Sequence, residues 1–165
     1  GTGEMIRDAL ERGFRDISIA IGGSATNDGG IGCIRALGGR FLDENGEDAG
    51  EGGQALAKVA RIDVSGMNPL LKECHIQVAC DVNNPLCGEN GSTYVYGPQK
   101  GVTEDMKKTL DEAMAHFARV TSETLENDYM NILIDRFDYK DEETKSRMEN
   151  IRVIINKFID ERIKI

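Results

Sequence analysis

The chain predicts an α/β fold that gives way to a helical segment, and three observations carry that prediction. All 19 glycines, all three prolines and all four cysteines lie in residues 1–101, and none in 102–165. Before that break apolar residues alternate in short runs bounded by glycine; after it they recur every three or four positions. Charge changes little across it, with 9 basic and 14 acidic residues before and 11 and 15 after, so what shifts is structural type.

Residues 4–12 read as a helix with Met5, Ile6, Ala9 and Leu10 on one face and Gly13 as its stop. Residues 16–21 alternate Ile17, Ile19 and Ile21 with small residues, as a half-buried strand does. A helix over 28–37 follows, ended by Gly38-Gly39, and residues 40–42 form a short strand running into the turn Asp43-Glu44-Asn45-Gly46. A second glycine-rich loop, 50–54, leads to a helix over 55–60. A strand over 62–64, a helical turn over 69–73 and a strand over 75–81, alternating Ile76, Val78 and Cys80, complete the series. Residues 82–101 are an irregular loop interrupted by Thr93-Tyr94-Val95-Tyr96.

Beyond the break, Thr103 caps a helix that runs to about residue 126, with Met106, Leu110, Met114 and Phe117 inward. Residues 129–137 suit either a strand or a short buried helix. Residues 140–165 predict a long amphipathic helix with Met148, Ile151, Ile155, Phe158, Ile159 and Ile163 on one side, a stripe that calls for a partner surface and makes homo-oligomerisation an expectation.

Composition excludes several classes. A formal charge of −9 without a Lys/Arg cluster argues against nucleic acid and against an anionic membrane surface. No apolar run reaches the ~18 residues of a membrane span, and the first residues lack the pattern of a signal peptide; a cytoplasmic location is expected. Cys33, Cys74, Cys80 and Cys87 form no Cys-x-x-Cys pair, so packed, reduced thiols are expected rather than zinc, with Cys80 turned into the core.

Three polar loops fall at or near the ends of predicted strands, where open α/β sheets place ligands. The first, Gly22-Gly23-Ser24-Ala25-Thr26-Asn27-Asp28-Gly29-Gly30, joins a strand to a helix. Its glycines permit positive φ and close approach of a ligand to the main chain, and the helix start adds unpaired N–H groups and partial positive charge. Its hydroxyls, amide and carboxylate suit a phosphate or a small hydroxy acid. It matches neither the Gly-x-Gly-x-x-Gly fingerprint nor a P-loop, and a tight turn with Asn27 or Asp28 as N-cap would explain it more plainly. The second, Asp81-Val82-Asn83-Asn84-Pro85-Leu86-Cys87-Gly88, puts a carboxylate and two amides at a strand end, with an Asx-turn as the simpler explanation. The third, Tyr96-Gly97-Pro98-Gln99-Lys100-Gly101, offers a lysine and an amide between glycines.

Taken together, residues 21–30, 79–86 and 97–101, with Gly1-Thr2-Gly3-Glu4 and Ile62-Asp63-Val64-Ser65-Gly66, resemble the glycerate kinase family, in the family's order and over residues 1 to about 120. The resemblance implies phosphoryl transfer from ATP with Mg²⁺ to a hydroxyl of D-glycerate, giving 2- or 3-phosphoglycerate. It implies two domains, one flavodoxin-like and one inserted with a mixed sheet, and a cleft between them. Residues 1–120 correspond to part of the inserted domain, and 121–165 to a helical tail without counterpart.

On this reading Gly22, Gly23, Ser24, Thr26, Asn27, Gly29 and Gly30 hold the substrate's carboxylate, hydroxyls or transferred phosphate, with Asn83, Asn84 and Gln99 beside them. Asp28 or Asp81 accepts the glycerate proton or holds Mg²⁺ through water, and Lys100 offsets developing phosphate charge. No direct metal ligation by protein side chains is expected. The family's amino-terminal serine- and lysine-bearing motif and its later glycine-rich segments have no counterpart, so a truncated or fragmentary form with little activity alone is expected. The alternative is a non-catalytic module that binds a small anion or a protein partner.

Overall fold

A computed structural model describes residues 1–80 and 82–124. They contain four strands and four helices. The order is α1 (Thr2–Glu11), β1 (Asp16–Ala20), α2 (Ile31–Ala36), β2 (Arg40–Leu42), β3 (Arg61–Asp63), β4 (His75–Ala79), α3 (Ser92–Tyr96) and α4 (Glu104–Thr124), with 3₁₀ turns at Gly53–Lys58, Pro69–Glu73 and Pro98–Lys100. The α/β character and the order of the elements agree with the sequence reading. The predicted helix at 55–60 is the first of these 3₁₀ turns, and residues 93–96 belong to a short helix.

The strands form two separate pairs. β1 lies parallel to β4, with Ile17 opposite Ile76 and Ile19 opposite Val78. A parallel pair needs a long crossover, and this one contains α2, β2 and β3. β2 and β3 pair antiparallel, Phe41 opposite Ile62. Each pair has its own core. Ile6, Leu10 and Leu37 pack on Ile17 and Ile19 beneath α1, whereas Phe41, Leu56, Val59 and Ile62 meet Ala113, Met114 and Phe117 of α4. Arg35 of α2 adds a link to the second core: its guanidinium lies 5.8 Å from the Phe41 ring and donates to Asp48 Oδ1 at 2.9 Å. The Gly50 amide first, and then Arg35, holds the Asp48 carboxyl below its ordinary range.

Several expectations need correction. Met5 and Met106 are exposed; the inward faces of their helices are carried by Gly3, Ile6 and Leu10 and by Ala113, Met114, Phe117 and Ala118. At Gly3 of α1 the neighbour comes close: a Cβ there would lie 2.2 Å from the Cys33 carbonyl oxygen of α2. The Thr103 hydroxyl donates to Asp105 Oδ1 at 2.6 Å, a side-chain contact at the start of α4. Cys80 is exposed rather than turned into the core, because β4 is exposed along its whole length. No described helix is long and apolar enough to cross a membrane. The amphipathic stripe at 148–163 and the segment at 129–137 lie outside the described residues.

Candidate active site

The parallel pairing of β1 and β4 brings two of the three polar loops to one edge. Ala20 and Ala79 are register partners, and the Ile21 amide extends the ladder by donating to the Ala79 carbonyl at 3.2 Å. The 22–30 loop and the loop that follows β4 therefore leave the sheet side by side, at the carboxyl ends of parallel strands.

The third loop reaches back to the first. Lys100, on the 3₁₀ turn Pro98–Lys100, donates from Nζ to Ser24 Oγ at 2.8 Å and to the Thr26 carbonyl at 2.7 Å. A lysine that looks like solvated surface in sequence is thus bound to a loop 74 residues away. Asn84 in the second loop accepts from the Tyr96 hydroxyl at 2.6 Å and donates to the Asn90 carbonyl at 2.9 Å. Asn27 in the first donates from Nδ2 to Thr93 Oγ1 at 3.0 Å. Asn83 and Gln99 are exposed on their loops. Asp81 lies outside the described residues.

Asp28 plays a local part. Its Oδ1 accepts from the Gly30 amide at 3.1 Å and its Oδ2 from the Gly32 amide at 3.2 Å, while the Thr26 hydroxyl donates to Oδ1 at 3.3 Å. The carboxylate covers the start of α2, which is why that helix begins at Ile31 and not at 28. The expectation that the helix start offers unpaired amides to a ligand is thereby corrected. Gly32 N–H points at Asp28, and the Ile31 amide is taken by the Asp28 carbonyl at 3.2 Å. The same negative charge acts on Cys33, whose thiol is pushed up first by burial and then by Asp28.

The loop has a packed half and an open half. A Cβ on Gly29, at φ +60°, would lie 2.8 Å from the Phe117 ring, and one on Gly53 would lie 2.7 Å from the Asn27 carbonyl oxygen. Gly29 is therefore required by packing against α4. Gly22, Gly23 and Gly30 are exposed and have nothing within 4 Å of where a Cβ would stand. Ligand approach to the main chain is sterically free at these three.

Sequence reasoning missed Thr93, Tyr96 and Gly53, which hold the predicted residues from behind. Thr93 and Tyr96 stand three apart, the spacing of one helix face, but nothing local in the sequence signals what they touch. The concavity of about 260 Å³ between Asp43, Glu44, Asn45, Lys58 and His116 includes no residue of the three loops.

The family model described as glycerate kinase family matches residues 1–135. The Bacillus subtilis protein named glycerate kinase is 54% identical over 125 residues, covering 76% of this chain and 33% of the relative. The Escherichia coli protein named glycerate 2-kinase is 50% identical over 132 residues, covering 80% and 35%. The crystal structure of a protein assigned as glycerate kinase 2 from Salmonella typhimurium superposes with a TM-score of 0.73 at 51% identity, over 78% of this chain and 34% of that one. The chain spans about a third of the length of these relatives. It belongs to the glycerate kinase family.

Proposed function

We propose that this stretch of chain carries the substrate-side loops of a kinase that transfers a phosphoryl group from ATP to a hydroxyl of D-glycerate. The observation that carries the reading is the Lys100 ammonium joined to Ser24 and Thr26 across the end of the parallel sheet. Phosphoryl transfer asks for positioning and charge stabilisation more than covalent chemistry. A lysine held beside a loop with an open glycine face offers both. An ammonium has three N–H bonds, and two of those on Lys100 are accounted for by Ser24 and Thr26. The third is the donor proposed to meet a carboxylate or phosphate oxygen.

Gly22, Gly23, Ser24, Thr26, Asn27 and Gly30 are proposed to surround the substrate, with Gly29 shaping the loop behind them and Asn83, Asn84 and Gln99 at the rim. Between the two carboxylates, the geometry of Asp28 favours Asp81 as the proton acceptor, since both Asp28 oxygens are engaged with backbone amides. Mg²⁺ is proposed to come with the nucleotide. Among the described residues no three His, Cys, Asp or Glu side chains converge to hold a metal, and contact with Asp81 would run through water.

Because the chain spans about a third of its relatives, the 165 residues are proposed to supply one wall of the site and to turn over little alone. A coupled assay of ADP release with D-glycerate and Mg-ATP tests this. The expected rate is far below the roughly 1–100 s⁻¹ usual for kinases, and turnover in that range from this chain alone would overturn the one-wall reading. Calorimetric titration with D-glycerate at millimolar concentration is expected to give heat. Its absence would remove the substrate-binding role.

A further inference from the structure

We propose that Thr93 is a positioning residue for the ligand loop, fixing the Asn27 carboxamide from behind the site. This rests on reading the 22–30 loop as the one that meets the substrate. Thr93 is the polar side chain that stands among the wholly buried residues, at 0% exposure. A buried hydroxyl costs free energy unless it is hydrogen-bonded, and valine would fill nearly the same space without that cost. The hydroxyl's partner is Asn27 Nδ2, at 3.0 Å and 66 residues away in the chain. Asn27 is gripped a second time through its backbone, where Gly53 leaves no room for a Cβ beside the carbonyl oxygen.

The helix that carries Thr93 touches the first and second loops and leads directly into the third. Tyr96, one turn on, donates to Asn84 at 2.6 Å, and the Ser92 hydroxyl donates to the Leu86 carbonyl at 2.9 Å. The 3₁₀ turn bearing Lys100 follows directly at Pro98. One short helix therefore sets the spacing between the Asn27 side chain, the Asn84 side chain and the Lys100 ammonium. Turning Asn27 loose would leave the loop's backbone in place, since Asp28, Gly29 and Gly53 hold it independently. What would be lost is the orientation of the one carboxamide in the loop.

The test compares Thr93→Val, Thr93→Ser and Asn27→Ala in the 165-residue chain. The first readout needs no ligand: hydrogen exchange of the Asn27 side-chain amide, followed by NMR, should be slow in the parent, fast in Thr93→Val and slow again in Thr93→Ser. The second is D-glycerate affinity by calorimetry. Loss of one neutral hydrogen bond should weaken binding by about fivefold in Thr93→Val. Thr93→Ser should restore it, and adding Thr93→Val to Asn27→Ala should weaken it no further. Unchanged Asn27 exchange in Thr93→Val, or additive losses in the double variant, would overturn the proposal. If no variant and not the parent gives heat with D-glycerate while the exchange pattern holds, Thr93 still positions Asn27 and the glycerate reading is what falls.

Discussion

Phe41 in β2 is 2% exposed and Val78 in β4 is 58% exposed, although both are apolar strand residues of short two-stranded pairs. The β2–β3 pair is covered by α4 and the Gly53–Lys58 turn and contributes Phe41 and Ile62 to the larger core. The β1–β4 pair is covered by α1 only over β1, so Ile76 and Val78 lie open. Parallel strands ordinarily need cover on both faces. The difference teaches that the two halves of the site rest on unequal supports: the 22–30 loop starts from the open pair at Ile21 and ends on the covered core at Phe117.

The largest expected effect breaks the covered side. Phe41→Ala removes a ring packed against Phe117 at 5.8 Å between centroids, and should cost about 3–5 kcal/mol in urea denaturation followed by circular dichroism. A loss below about 1 kcal/mol would mean that the core around Phe41 does not carry the fold. Cysteine reactivity sharpens the same contrast. Cys87 packs against the larger core, and its thiol is pushed up to about 11, first by burial and then by the Asp111 charge. Cys80, at the open edge, is exposed. Alkylation near pH 8 should label Cys80 at least about a hundredfold faster than Cys87, since the thiolate is the reacting form. The Cys87 rate should climb about tenfold per pH unit until pH approaches its pKa. Equal rates at pH 8, read by mass spectrometry of peptides, would contradict this placement.

Gly29→Ala acts where the loop meets the covered core. Alanine at φ +60° carries a backbone cost of roughly 1–2 kcal/mol, and its methyl would press on the Phe117 ring. A destabilisation of about 2 kcal/mol is expected in the same denaturation experiment. Gly22→Ala, at an open position with no positive φ, should leave stability within about 0.5 kcal/mol. If the two substitutions cost the same, the division of the loop into packed and open halves fails.

Much of this arrangement was legible in the residues. Alternation in 16–21 and 75–81, the Asn45-Gly46 turn and the glycine stops located strands and turns to within a few positions, because each is a local preference of a few residues. The start of α2 was misread since Asp28 caps through its side chain while residues up to Gly30 stay outside the helix. Hydrophobic spacing places Met5 and Met106 inward but does not fix where the neighbour sits; α1 meets α2 at Gly3, and α4 turns Ala113, Met114, Phe117 and Ala118 to the core. Ser24, Thr26, Asn27, Asn84 and Lys100 were singled out, and contacts among the loops bring them together. Thr93 and Tyr96 were not, since a helix residue whose partner is a distant loop leaves no trace in its own neighbourhood.

The smallest expected effect lies on the open pair. Val78→Thr keeps a β-branched side chain in β4 and changes only a solvent-facing methyl to hydroxyl. With Val78 at 58% exposure, little apolar area returns to water, and the change in stability should stay within about 0.5 kcal/mol. The same substitution at a covered strand position would leave a hydroxyl buried without a partner and cost more. Urea denaturation of Val78→Thr at several protein concentrations decides which condition holds in solution. A loss well above 1 kcal/mol would show that Val78 is covered there, and a loss growing with concentration would assign the cover to a second copy of the chain. A flat, near-zero response would show that β4 stays open in solution.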